Sequence, residues 1–292
     1  LILEDNSSIN ASAVSGVGGN IDLQIKDKLQ LSNQSEIVAD ILQAGQSGNI
    51  AIVAPEITLT QASIISNSAF GTATGSELKL TGDRLSIFDG SRLSTLTYGS
   101  GKAGNLFIQA GDIEVSGMGN TLVAGLGTVP NPSIIAAGTF PGSSGEGGNL
   151  IIEGNRIRIT DGGLIASGTL GGGASGNLEI YAAESLEVNG IGNKPAPLFG
   201  YFTNHPSHIS ASSFSNAPAG YVKIITPLFS VTDGGLVEVN GAGVGGAGNL
   251  EVVSSNIFLD NGASLQAQVA GGNQGNISLN SNLLVLRQGS TI

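Results

Sequence analysis

The sequence has no cysteine, which removes disulfide frameworks and Cys-ligated metal sites together. That absence suits a chain that crosses a membrane unfolded, where a premature disulfide would obstruct passage. Charge is also scarce, at 11% of residues against the roughly one quarter usual in globular domains. The 11 Lys and Arg form no run and the formal charge is −11, so the clustered cations that nucleic acid demands are missing. No apolar stretch reaches the roughly 18 residues of a membrane span. Leu1 to Asp5 show neither a basic leader nor a cleavage-site pattern, so no signal peptide is visible.

What remains is glycine and aliphatic carbon. With 46 Gly, 40% hydrophobic residues and a mean hydropathy of +0.22, the chain is rich in turns yet has ample side chain to bury. Disordered chains are poor in apolar residues, so disorder does not fit.

The apolar residues repeat. An apolar-x-apolar motif followed by a turn residue begins at Leu1, Leu29, Ile57, Leu85 and Ile113, four steps of 28. It continues at Ile157, Leu186, Phe229, Ile257 and Leu284, with steps of 44, 29, 43, 28 and 27. Between the copies stands Gly-Asn followed by apolar alternation, with Asn at Asn20, Asn49, Asn105, Asn149, Asn177, Asn249 and Asn276. Two places in this phase hold Glu77 and Tyr221 instead.

Alternation over four to six residues means half-buried strands, and no segment has the apolar stripe of a helix. Each rung offers three short strands: one after Gly-Asn, one at apolar-x-apolar, and one around residues such as Ile37, Ile65 and Leu93. Asp-Gly, Asn-Gly and Gly-Gly punctuate them where the chain turns. The reading is an all-β, right-handed, single-stranded parallel β-helix, with equivalent strands stacked from rung to rung. Ten rungs at ~4.8 Å make a rod of roughly 45 Å. Glycine is expected at Gly-Asn for a tight bend, and the asparagines as a hydrogen-bonded ladder. The pattern starts and stops partway through a repeat, as in a piece cut from a longer chain.

The two long steps carry insertions at one corner, over about 118–132 and 191–206. Insertions in a solenoid emerge as loops on one face, often the binding face. They lie two rungs apart, about 10 Å. The second gathers Phe199, Tyr201 and Phe202, with His205 and His208 directly after. These five are the candidate ligand contacts, because aromatic faces stack on sugars and anchor interfaces. The competing reading is a loop that packs its aromatics on the rod's flank. His205 and His208 lack further obvious metal ligands, and nothing in the chain asks for a cofactor.

Catalysis on such a rod needs carboxylates converging on one outward patch. The outward positions of the second strand, such as Glu114, Arg158 and Glu187, place no two carboxylates in matching columns of neighbouring rungs. A phosphate loop, a nucleophile elbow and a calcium nonapeptide are also missing. An enzyme is therefore not expected, although polysaccharide lyases and hydrolases use this fold and remain the alternative.

The Gly-Asn strand, the apolar-x-apolar-x-Asp-Gly motif and a Ser/Ala/Gly-rich third strand resemble the repeat region of filamentous-haemagglutinin-type exoproteins, most closely the large ones of cyanobacteria. The resemblance covers the whole chain and implies two-partner secretion through an outer-membrane transporter of a Gram-negative bacterium. It implies adhesion at the cell surface, and with the aromatic insertion the expectation is a structural shaft of a secreted or cell-surface adhesin that contacts host or matrix carbohydrate through its insertion loops. A pure spacer for a distal binding module is the other reading. Asn131-Pro132-Ser133 does not match the family's secretion motif, so no transport residue is assigned.

Overall fold

The computed structural model describes residues 1–123, 127–196 and 201–292, with the backbone alone for 121–123, 127, 201 and 202. The described residues form a parallel β-solenoid of about ten turns with no helix. Two sheets of 13 and nine strands run the length of the stack. Each strand pairs with its equivalent one rung away: Ile65 sits between Ile37 and Leu93, and Leu85 between Ile57 and Ile113.

The first two strands of a rung are separate near the start, as in Ile21–Gln24 and Lys28–Leu31. From Leu78 to Asp260 they run together into 11- or 12-residue strands such as Leu78–Phe88, Leu106–Ser116 and Leu178–Asn189, and they part again in the last rung, at Ile277–Asn280 and Leu283–Leu286. Pairing simply continues across the corner, where Gly82 lies opposite Ala110. In Leu178–Asn189 one additional residue bulges between Tyr181 and Ser185, which accounts for the 29-residue step. The third strand is always three residues, as in Ile64–Ser66 and Ile209's strand His208–Ser210. Beyond it the rungs touch through a column of single bridges that includes Ala69, Thr97, Thr139, Thr169 and Ser213.

Alternation sorts the side chains. Ile157 and Ile159 are fully buried while Arg158 between them is exposed, and the same holds at Ile113, Glu114 and Val115 with the acid half-buried. Most of the buried apolar residues make one continuous core from Leu3 to Leu265, with two small clusters beside it, around Leu96 and Ile134 and around Ile41 and Ala69. Burying each such aliphatic side chain contributes about 1.5–3 kcal/mol, which is how a chain with 11% charge holds together.

The glycine of Gly-Asn is not needed for a bend. Gly48, Gly104, Gly148, Gly176 and Gly248 all avoid the left-handed region. A β-carbon on any of them would instead stand 1.7–1.8 Å from a backbone carbonyl of the rung below. Close stacking of backbone on backbone excludes every side chain there. The positive φ values of non-glycine residues fall at the other corner, as on Asp89, Asp161 and Asp233 (52–54°), each followed by a glycine also at positive φ. Asp in this region is tolerated because its short polar side chain bonds locally.

At the asparagine itself, the backbone N–H of a rung donates to the Oδ1 of the rung below wherever that rung carries asparagine. Asn49 donates to Asn20 at 2.8 Å, Asn149 to Asn105 at 3.0 Å, Asn177 to Asn149 at 3.0 Å and Asn276 to Asn249 at 3.1 Å. Glu77 and Tyr221 donate downward, to Asn49 at 3.1 Å and Asn177 at 3.2 Å.

Candidate functional site

Both insertions are antiparallel hairpins: Met118–Val123 with Gly127–Pro132, and Ile191–Ala196 with Tyr201–Pro206. They leave the rod at the same corner, between a long strand and the three-residue strand that follows. Their bases share a pattern. Gly117-Met118-Gly119-Asn120 opens the first and Gly190-Ile191-Gly192-Asn193 the second; Asn131-Pro132-Ser133 closes the first and His205-Pro206-Ser207 the second.

The shared residues make the same contacts one rung down. Asn131 Nδ2 donates to the Gly90 carbonyl at 3.3 Å, and His205 Nδ1 lies 3.1 Å from the Gly162 carbonyl. A carbonyl only accepts, so that contact places the proton on Nδ1. Ser133 Oγ accepts from the Gly90 amide and Ser207 Oγ from the Gly162 amide, each at 3.0 Å. Thus each hairpin is clamped onto the Asp-Gly turn beneath it. The two are also neighbours, with Gly127–Pro132 of the first beside Ile191–Ala196 of the second. A β-carbon on Gly192 would stand 2.8 Å from the Met118 side chain, so the hairpins close over the intervening Asp161-Gly162 turn.

Of the five candidate contact residues, Phe199 lies outside the described residues, and Tyr201 and Phe202 are described by backbone only, in the returning strand. The histidines are placed differently from an exposed platform. His205 is 0% and His208 3% exposed, with ring centroids 5.8 Å apart. Burial drives the His205 imidazole down to about 3, and the neighbouring His208 adds to this against the pull of the Gly162 carbonyl. His205 therefore serves the hairpin base as a neutral, packed ring.

His208 belongs to a second constellation that the residue pattern did not single out. Its Nε2 lies 3.3 Å from Glu238 Oε1, to which Ser212 Oγ also donates at 3.1 Å; Asn240 Nδ2 donates to Glu238 Oε2 at 2.7 Å. Burial of Glu238 opposes its ionisation, but His208 and the hydroxyls around it prevail and hold the carboxyl below the usual range. Ser212, Glu238 and Asn240 stand on the outer side of the nine-stranded sheet and line a notch of about 470 Å³, with Phe214, Gln268 and Val269 also in its wall. The carboxylate stands between hydroxyl and imidazole. A nucleophilic relay needs the imidazole in the middle, so this is not a hydrolase triad.

On the long-strand sheet the outward charges pair along the stack. Arg156 makes two bonds to Asp112, at 2.8 and 2.9 Å, and reaches Glu184 on the bulge at 3.7 Å; Arg158 meets Glu114 at 3.1 Å. Such exposed pairs add little stability each but cancel like-charge repulsion between stacked rungs. Glu179 accepts hydroxyl bonds from Tyr181 at 2.5 Å and from Tyr221. Those bonds hold its carboxyl down and push both phenols up to about 12. Among the described residues no group of three metal-ligating side chains converges, and no helix is long and apolar enough to cross a membrane.

Comparison of the chain with protein families, curated proteins and solved structures returns no match in any of the three.

Proposed function

We propose that this chain is the structural shaft of a secreted or cell-surface adhesin of the filamentous-haemagglutinin type, non-enzymatic, exported through an outer-membrane transporter partner, with its paired hairpins as a contact surface for carbohydrate. The fold is consistent with a shaft. The observation that carries the reading is the duplicated hairpin module. Two copies with the same clamp rise at one corner and lie side by side, while the core beneath continues unchanged. A rod that needed only length would gain nothing from an ordered, paired projection. A surface that meets a ligand would, because loops on a rigid support are where binding residues concentrate.

Retention of the chain on a broad glycan array, compared with a variant lacking 191–206 and one lacking both insertions, tests this. Retention that depends on the hairpins supports the contact surface. Retention by none of the three forms favours a pure spacer that holds a distal module away from the cell.

A further inference from the structure

Outside the bridge column, the residue that follows each bridge points along an outward ladder. Tyr98, Phe140, Leu170 and Phe214 occupy equivalent places, each donating its amide to the carbonyl of the rung below: Tyr98 to Ala69, Phe140 to Thr97, Leu170 to Thr139 and Phe214 to Thr169, at 2.8–3.2 Å. The lower rings use their faces on one another. Phe70 and Tyr98 stack at 4.5 Å and 6°, and Tyr98 and Phe140 meet at 4.7 Å and 32°. The ladder stops at Phe214, where the next two places hold Ala242 and Ala270, in register through Ser213, Gly241 and Val269. No described side chain continues the stack, and Phe214 is 48% exposed.

The space those two alanines leave is the notch of about 470 Å³ beside Glu238. It falls in the range of small-ligand sites, about 300–1,000 Å³. From the truncated ladder and the polar wall together, we infer that this notch binds one pyranose-sized, hydroxyl-rich ring, stacked on Phe214 and hydrogen-bonded by Asn240 and Gln268.

The chemistry of the wall selects that ligand. A sugar ring presents a C–H face that lies on an aromatic ring, and an edge of hydroxyls that both donate and accept. The notch offers a phenyl ring next to a carboxylate, two amides and the hydroxyls of Ser212 and Ser213. Its polar groups are already fixed. Asn240 is tied to Glu238, to Gln266 Oε1 at 3.2 Å and to the Gln268 amide at 2.7 Å, so ordering the wall costs little on binding. An ammonium ligand fits less well, because the one carboxylate is already met by His208, Ser212 and Asn240. The site is separate from the hairpins and does not depend on the adhesin reading.

The test is titration of the whole chain by calorimetry and by NMR with methyl glycosides of glucose, galactose, mannose and N-acetylglucosamine, and with methylammonium. At least one glycoside should bind in or below the ~10 mM range. Ala242→Phe, which extends the ring ladder into the notch, should weaken it at least tenfold while the thermal midpoint stays level or rises. Phe214→Ala, a change at an exposed position, should weaken it comparably, and deletion of 191–206 should leave it unchanged. Absence of binding by every glycoside, binding of methylammonium alone, or affinity that survives both Ala242→Phe and Phe214→Ala would overturn the assignment.

Discussion

Gly176 stands directly on Gly148, so close that a β-carbon on Gly176 would lie 1.8 Å from the Gly148 carbonyl oxygen. The contact is backbone to backbone and cannot be relieved by a rotamer. Gly176→Ala should therefore force the rungs apart and cost several kcal/mol, on the order of 3. Gly262 makes the contrast: its φ is +76° but nothing lies within 4 Å of the added carbon. Gly262→Ala should cost only the left-handed strain, about 1–2 kcal/mol. Urea unfolding of both variants checks the difference; equal losses would mean that conformation, not close approach, decides the Gly-Asn glycine.

Ile159 and Arg158 are adjacent and face opposite ways. Ile159 is fully buried in the core column, whereas Arg158 is exposed and pairs with Glu114. Ile159→Asp buries a charge with no partner and should cost about 4 kcal/mol or more. Arg158→Ala loses a surface ion pair and should cost at most about 1 kcal/mol. Cooperative unfolding of the aspartate variant at an unchanged midpoint would reverse the inside and outside of the long strands.

The rod's period, its parallel stacking and its inward residues were readable from spacing, because a buried column must repeat at every rung and Leu85, Ile87 and Leu93 recur as such. Joining of the first two strands was not readable. Gly82-Asp83 and Gly154-Asn155 look like turns in a sequence, and only pairing across the corner makes them strand. The reason for glycine at Gly-Asn was also hidden, since it lies in the distance to another rung. The burial of His205 depends on where a hairpin base lands one rung below, and the notch at Glu238 depends on lateral register. Both could have been approached from the period: Asn131-Pro132-Ser133 and His205-Pro206-Ser207 align, and Phe214, Ala242 and Ala270 recur at 28-residue spacing.

At Glu77 the asparagine ladder is interrupted, since Glu77 donates to Asn49 and supplies no amide oxygen at the place where Asn49 and Asn149 supply one. Glu77→Asn should restore an acceptor for the Asn105 amide and stabilise the chain by about 0.5–1.5 kcal/mol. Asn149→Ala should lose a similar amount. Thermal unfolding of the pair is the check: a neutral Glu77→Asn alongside a costly Asn149→Ala would mean that the ladder's worth is local to its own rung.

His205 gives the rod's second hairpin a dependence on pH whose sign follows from burial. Its imidazole titrates at about 3 in the fold against 6.5 in the open chain, so the unfolded state takes up the proton first. Stability is complete above about pH 6.5 and falls as pH drops towards 3, with about 2 kcal/mol gone by pH 5. Glu238, the buried carboxylate beside His208, is held below its usual range and takes up its proton at lower pH. Opening of the hairpin base should precede loss of the rod, since Ser207 and His205 are clamped to one turn while the core is continuous. His205→Asn installs the residue that the first hairpin uses at the same place. It should keep stability at pH 8 within about 1 kcal/mol by donating to the Gly162 carbonyl as Asn131 does to Gly90, and it should flatten the slope between pH 6.5 and 5. Hydrogen exchange of the 191–206 amides across that range reads the opening directly. A slope that persists in His205→Asn would place the proton elsewhere.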